Sequence, residues 1–164
     1  MATAEAERQV VLFSLRGEYY GLPITSVREI IRYVAPSATA IARGAIRGMI
    51  ILRERTLPIV DLSTRLGHQL EVGARTRILV LEVSGGALGL IVDGVEGILP
   101  IPSERVEPLP GATADEGFGD EVAAVGDRLI VLIDPERAFG DLLPRKPAPA
   151  PRRRATSARP SASS

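Results

Sequence analysis

From Gln9 to Asp134 the chain is a series of short aliphatic runs, each ended within a few residues by glycine, proline or a charged turn, with no long helical stripe among them. QVVLFSLRG and EYYGLPI are β-rich runs joined by the tight Arg16-Gly17 turn, a hairpin signature. RILVLEVSGGALGLIVD repeats that pattern around Ser84-Gly85-Gly86. Further strands are expected in MIILRE, TLPIVDL, GILPI and GDRLIVLID. Strands this frequent and this short predict small barrels or a sandwich. Helices are confined to DLSTRLG and DPERAFG, each opened by an Asp N-cap and closed by a C-cap Gly.

Those two helical fragments belong to an internal repeat. GLPITSVREII from Gly21 and GLIVDGVEGIL from Gly89 align without a gap, 68 residues apart, and the helix-opening Asp61 and Asp134 lie 73 apart. The chain is therefore expected to hold two similar barrels, roughly residues 8–75 and 76–143. A barrel of that size supplies only about 3–5 kcal/mol alone, so the two should pack together, and an aliphatic groove between them would seat a partner helix. The region before residue 8 is expected to be a flexible N-terminus.

Composition narrows the function. Aromatic residues make up 4% of the chain, too few for a base-stacking platform. Cysteine is absent and His68 is the single histidine, so thiolate and His-rich metal sites are excluded. Residues 1–143 carry fourteen basic against twenty acidic side chains, whereas the tail from residue 144 to 164 carries six basic residues and no acid. That tail is Pro, Ala, Arg and Ser, which predicts a disordered basic segment. A small-barrel nucleic-acid binder is the reading the tail favours, but the acidic body and scarce aromatics oppose it. The N-terminal MATAEAERQVVLF carries acids where an export signal needs bases, and its apolar run is too short to span a membrane; a cytoplasmic location is expected.

Chemistry finds little footing. Asp61, Asp93 and Asp134 each end an aliphatic run, a pattern that fits either a carboxylate metal site or three helix- and turn-capping residues. Capping is the stronger reading, because the repeat puts Asp61 and Asp134 in equivalent places of different halves. His68 has no G-x-S-x-G nucleophile to serve, and no phosphate-binding or dinucleotide fingerprint is present. No catalytic residue, metal, cofactor or small-molecule substrate is assigned.

The blocks FSLRGEYYGLPITSVREIIRY, IRGMIILRERTLPIVDLSTRLG, ILVLEVSGGALGLIVDGVEGILPIPSERVEPLP and VGDRLIVLIDPERAF, in this order, resemble the CheW-like domain family of chemotaxis adaptors over most of residues 8–143. The resemblance implies a mainly β fold of two SH3-like five-stranded barrel subdomains with short capping helices. It implies a non-enzymatic adaptor that joins the cytoplasmic helices of chemoreceptors to the regulatory domain of a CheA-type histidine kinase, in arrays at the membrane but without insertion into it. A paralogue serving motility, gene expression or second-messenger output is the alternative within the family. The family's receptor-facing positions fall on Val27, Glu29 and Arg53, with Glu54 and Arg55 in the adjoining loop. Val27 offers an apolar contact to a helix, Arg53 a five-donor fork, and Glu29 a carboxylate able either to orient that fork or to meet a receptor cation.

The same loop departs from the family. Where the family reads Asn-Leu-Arg-Gly this chain has Ile51-Leu52-Arg53-Glu54, and a preceding Pro-x-Phe has become Arg43-Gly44-Ala45. Loss of the Gly removes freedom to adopt positive φ and predicts a reshaped loop tuned to different receptors.

Overall fold

The structure, a computed structural model, describes residues 7–37, 46–65, 69–108 and 121–142. The N-terminal six residues, Arg43-Gly44-Ala45, His68 and the basic tail lie outside the described residues. Eleven strands follow in order: β1 (Glu7–Leu15), β2 (Glu18–Pro23), β3 (Val27–Arg32), β4 (Ile46–Leu52), β5 (Arg55–Asp61), β6 (Arg77–Val83), β7 (Gly86–Val92), β8 (Gly94–Pro102), β9 (Val106–Pro108), β10 (Glu121–Val125) and β11 (Arg128–Leu132). Two short helices, α1 (Leu62–Arg65) and α2 (Pro135–Phe139), follow β5 and β11. Gly140 does not close α2 in a left-handed cap; it is right-handed at φ −58° and leads into a 3₁₀ turn over Gly140–Leu142.

The strands form a six-stranded sheet, β8-β1-β2-β11-β10-β9, and a five-stranded sheet, β3-β6-β7-β5-β4. The first, here the terminal barrel, has one strand more than expected because three-residue β9 adds an edge. The second, the middle barrel, curls until its opposite edges meet. Ser37, just beyond β3, exchanges backbone hydrogen bonds with Met49 of β4 at 2.8 and 3.0 Å.

The two sheets do not follow the two sequence halves, which corrects the expectation of one barrel from 8–75 and another from 76–143. Hairpin β1–β2 joins β8, β10 and β11, while hairpin β6–β7 inserts between β3 and β5. Each half has exchanged its first hairpin with the other. The repeat itself is preserved to the residue. In the terminal barrel Leu132 of β11 pairs in parallel with Gly21 of β2, and in the middle barrel Ile59 of β5 pairs in parallel with Gly89 of β7, at the same 73- and 68-residue offsets. The bulge in β3 between Val27 and Glu29 recurs in β8 between Val95 and Gly97. Periodicity marks strands and their repeat, but pairing partners are chosen by non-local burial, which local patterns do not encode.

Burial explains the exchange. Val10 and Leu12 of β1 face the terminal barrel's interior, while Val11, Phe13 and Leu15 face the layer between the barrels. In β6, Ile78 and Val80 line the middle barrel and Leu79, Leu81 and Val83 face that same layer. Strands covered on both faces read as unbroken apolar runs, as VVLF and ILVL do. Among the described residues the layer between barrels holds sixteen buried residues against six in each barrel interior, so the main core belongs to neither barrel alone. The expected open groove along that junction is instead packed solid around Phe13, Phe139 and Leu90.

Two glycines permit the closest approaches. A Cβ on Gly89 would lie 2.7 Å from Ile59 Cδ1 and from Ile78 Cγ2, and one on Gly21 would lie 3.1 Å from Val10 Cγ2. The exchange predicts that residues 1–75 and 76–164, expressed separately, each show no cooperative thermal transition by circular dichroism and regain one only on mixing. A sharp transition from either fragment alone would contradict it.

Candidate functional site

Glu29 of β3 and Arg53 of the β4–β5 turn come from opposite edges of the middle barrel, yet they meet in a bidentate ion pair. Arg53 Nη2 donates to Glu29 Oε1 at 2.7 Å, and Nη1 donates to Oε2. The curl of the sheet brings them together across the seam, with 68% of the Arg53 side chain and 28% of that of Glu29 exposed. The Arg53 hydrogen bonds hold the Glu29 carboxyl below its ordinary value, and Glu29 raises the guanidinium in return. The fork is thereby fixed in direction at the barrel rim.

The turn that presents Arg53 is tight, although Glu54 stands where the family resemblance implies a Gly. Leu52 pairs with Arg55, so the loop is two residues long, and Arg53 and Glu54 both adopt left-handed backbone, with φ of 51° and 68°. This is the geometry of a tight hairpin, normally given to Asn or Gly. The expected reshaping is therefore replaced by strain, on the order of 1–2 kcal/mol for each such residue. Arg55 and Glu54 are exposed beside the pair, and Val27 is half-buried against the inter-barrel layer at the start of β3.

The three aspartates stay apart and each is engaged. Asp134 Oδ1 accepts from the N–H groups of Glu136 and Arg137 at the start of α2. Asp61, fully buried, accepts from the Ser63 N–H at 3.0 Å and from the Ser63 hydroxyl. Asp93 accepts the Arg16 N–H at 2.7 Å and so clasps the β1–β2 turn. The equivalent β6–β7 turn is clasped by Glu136, whose carboxylate accepts from Ser84 N–H at 2.9 Å and from its hydroxyl; these bonds lower the Glu136 pKa. Glu136 was not singled out from the sequence, and nothing local marks it, since its partner is 52 residues away. Among the described residues no cluster of three His, Cys, Asp or Glu could hold a metal, and no helix is long and apolar enough to cross a membrane.

Two further features escaped the sequence reading. A cleft of about 570 Å³ opens at one end of the terminal barrel, lined in part by Arg8, Gly21, Ile24, Glu121 and Leu132, and Val27, Glu29 and Arg53 do not line it. Charge also divides within the body. In sequence, residues 27–92, the segment from which the middle barrel is built, hold nine basic and five acidic side chains, while the remainder of 1–143 holds five basic and fifteen acidic. Counting by barrel instead of by body and tail would have found this.

A family model described as CheW-like domain matches residues 9–142. A Rhizobium etli protein named probable chemotaxis protein CheW is 32% identical over 140 residues, covering 84% of this chain and 90% of that one. Protein PilI of Pseudomonas aeruginosa is 31% identical over 105 residues, covering 61% of this chain and 59% of its own. Among solved structures, the scaffolding protein TtCheW from Thermoanaerobacter tengcongensis superposes with a TM-score of 0.72 at 34% identity, covering 80% of this chain and 92% of that one.

Two outcomes test the rim. Glu54→Gly relieves the left-handed strain and is expected to stabilise the fold by about 1 kcal/mol, raising Tm by roughly 2–4 °C in calorimetry. In NMR titrations the Glu29 carboxyl should titrate below the ordinary value of 4.5 and return toward it in Arg53→Ala. Because the folded value is the depressed one, any stabilisation from the pair is complete above the unfolded-state value and is lost as pH falls through the folded one.

Proposed function

The chain belongs to the CheW-like domain family, and from that premise we propose that it is a non-enzymatic adaptor coupling chemoreceptor cytoplasmic helices to the regulatory domain of a CheA-type histidine kinase. Its place of action is the cytoplasmic side of the membrane, within receptor arrays. The receptor contact is assigned to Val27, Glu29 and Arg53, with Glu54 and Arg55 beside them.

One observation carries this assignment. The fold is built twice, so each position has an equivalent in the other barrel. Glu29 corresponds to Gly97 and Arg53 to Gly126, at the repeat offsets of 68 and 73. At these two positions the terminal barrel has glycines where the middle barrel carries a bidentate ion pair. The duplicated fold therefore does not require the pair, and a pair that the fold does not require supports a recognition role. Its exposure argues the same way, since an exposed ion pair contributes little to stability.

A second reading, a paralogue coupling a kinase of a different pathway, is favoured by the likeness to PilI. The two differ in partner, not in mechanism. Titration calorimetry of the full chain with the regulatory domain of a CheA-type kinase from the same organism is expected to give saturable binding near 1 μM, about −8 kcal/mol. Arg53→Glu is expected to weaken binding of a soluble chemoreceptor cytoplasmic fragment at least tenfold while leaving the kinase affinity unchanged. Unchanged receptor binding would move the contact elsewhere.

A further inference from the structure

The most exposed large apolar side chain among the described residues is Ile51, at 77%, and it stands two residues before Arg53 on β4. Its neighbour Ile50 turns into the middle barrel's interior, so alternation along the strand puts Ile51 on the barrel's outer face. On β3 the same logic applies across the seam. Ile31 packs inward, and Ile30, 44% exposed, pairs with outward-facing Leu79. The Glu29–Arg53 bond ties these two strands together, and Ile30 on β3 and Ile51 on β4 both stand on the barrel's outer face. Arg28 and Arg32 of β3 and Arg55 at the start of β5 are exposed as well.

The terminal barrel again supplies the contrast. At the positions equivalent to Arg28, Arg32, Ile51 and Arg53 it carries Glu96, Pro100, Ala124 and Gly126. Ile98 stands where Ile30 does and is likewise exposed, at 59%, and Arg128 stands where Arg55 does, so those two positions are shared; Ile51, Arg28, Arg32 and Arg53 are not. A barrel built without these four does not explain them.

We infer that the outer face of the middle barrel beside the Glu29–Arg53 rim docks an acidic amphipathic helix, with Ile51 as its apolar, specificity-determining contact. This deepens the receptor reading above and rests on it. The occupant is a helix of the chemoreceptor cytoplasmic hairpin that presents an apolar side chain flanked by carboxylates. Charge selects it, because Arg28 and Arg32 stand exposed on β3 and Arg55 stands exposed at the start of β5. Strand addition is disfavoured at this seam, where Met49 of edge strand β4 already bonds Ser37. An isoleucine fixed on a short hairpin loses little conformational freedom when covered, so its burial translates into discrimination between helices that offer a matching apolar residue and those that do not.

The test uses the full chain and a soluble chemoreceptor cytoplasmic fragment from the same organism. Ile51→Asn is expected to weaken binding about tenfold, equal to about 1.4 kcal/mol, whereas Ile51→Leu stays within about threefold. Binding should also weaken steeply as salt is raised. Because Ile51 is exposed, thermal unfolding of both variants should match that of the parent. If Ile51→Asn binds within twofold of the parent while Arg53→Glu loses binding, the anchor is refuted and the receptor reading survives. If neither substitution matters, both fall. An equal loss of affinity for the kinase regulatory domain in Ile51→Asn would also refute a receptor-specific contact.

Discussion

The molecule depends on hairpins that are apolar on both faces. β1–β2 and β6–β7 each give one set of side chains to a barrel interior and the alternate set to the layer between barrels. A two-faced hairpin exposed on either side would leave Phe13, Leu15 or Leu90 in water, at about 1.5–3 kcal/mol for each large side chain. Lodging each hairpin in the other half's barrel covers both faces at once. It also makes the halves inseparable, because the larger share of buried residues lies between them. The turns of the exchanged hairpins are the exposed ends of this arrangement, and each is held by a carboxylate, Asp93 on Arg16 and Glu136 on Ser84.

Duplication gives the structure an internal comparison that a single domain lacks. What both barrels share is what pairing and packing demand: the parallel pairing at Gly21 and Gly89, the bulge before Glu29 and Gly97, the aspartate that ends β5 and its equivalent just beyond β11. What only one barrel has is free of that demand. The Glu29–Arg53 pair, the basic surroundings and Ile51 all fall in this second class, and all fall on the same barrel. Their concentration there is what the proposed recognition role draws on, a distinct surface carried by one barrel alone.

Legibility followed the range of the interaction. Strand runs such as QVVLFSL and RILVLEV, the Arg16-Gly17 turn and the Asp134 cap are set by neighbours in sequence, and they could be read there. The pairing of Glu29 with Arg53 spans 24 residues, yet it was within reach, because a carboxylate and a guanidinium at a family's contact positions suggest each other. Hairpin exchange was not within reach. The 68- and 73-residue offsets establish that halves are alike, but a hairpin that fits its own half's strands fits the twin's equally well. Strands β3, β9 and β10 were also unmarked. VREIIR alternates, but its exposed face carries Ile30 among arginines, and VEP is too short for any period to show.

The Arg53-Glu54 turn shows where the fold left room for change. A two-residue hairpin with both residues left-handed is most stable with Asn or Gly, and the equivalent turn in the terminal barrel does begin with Gly126, at φ 62°. Here two long charged residues occupy it instead. The inter-barrel layer, some sixteen side chains strong, holds the barrels together whatever the turn contains, so a strain of a few kcal/mol at the rim is tolerated. Strain that persists in an exposed turn is not explained by packing, since nothing packs there to impose it. What it achieves is fixed direction: a fork held by Glu29 at one end of a loop too short to swing, beside an isoleucine that the same short loop keeps in water. Both side chains are thus fixed in advance, and for the helix proposed above the surface would be one whose ordering the fold has already accomplished.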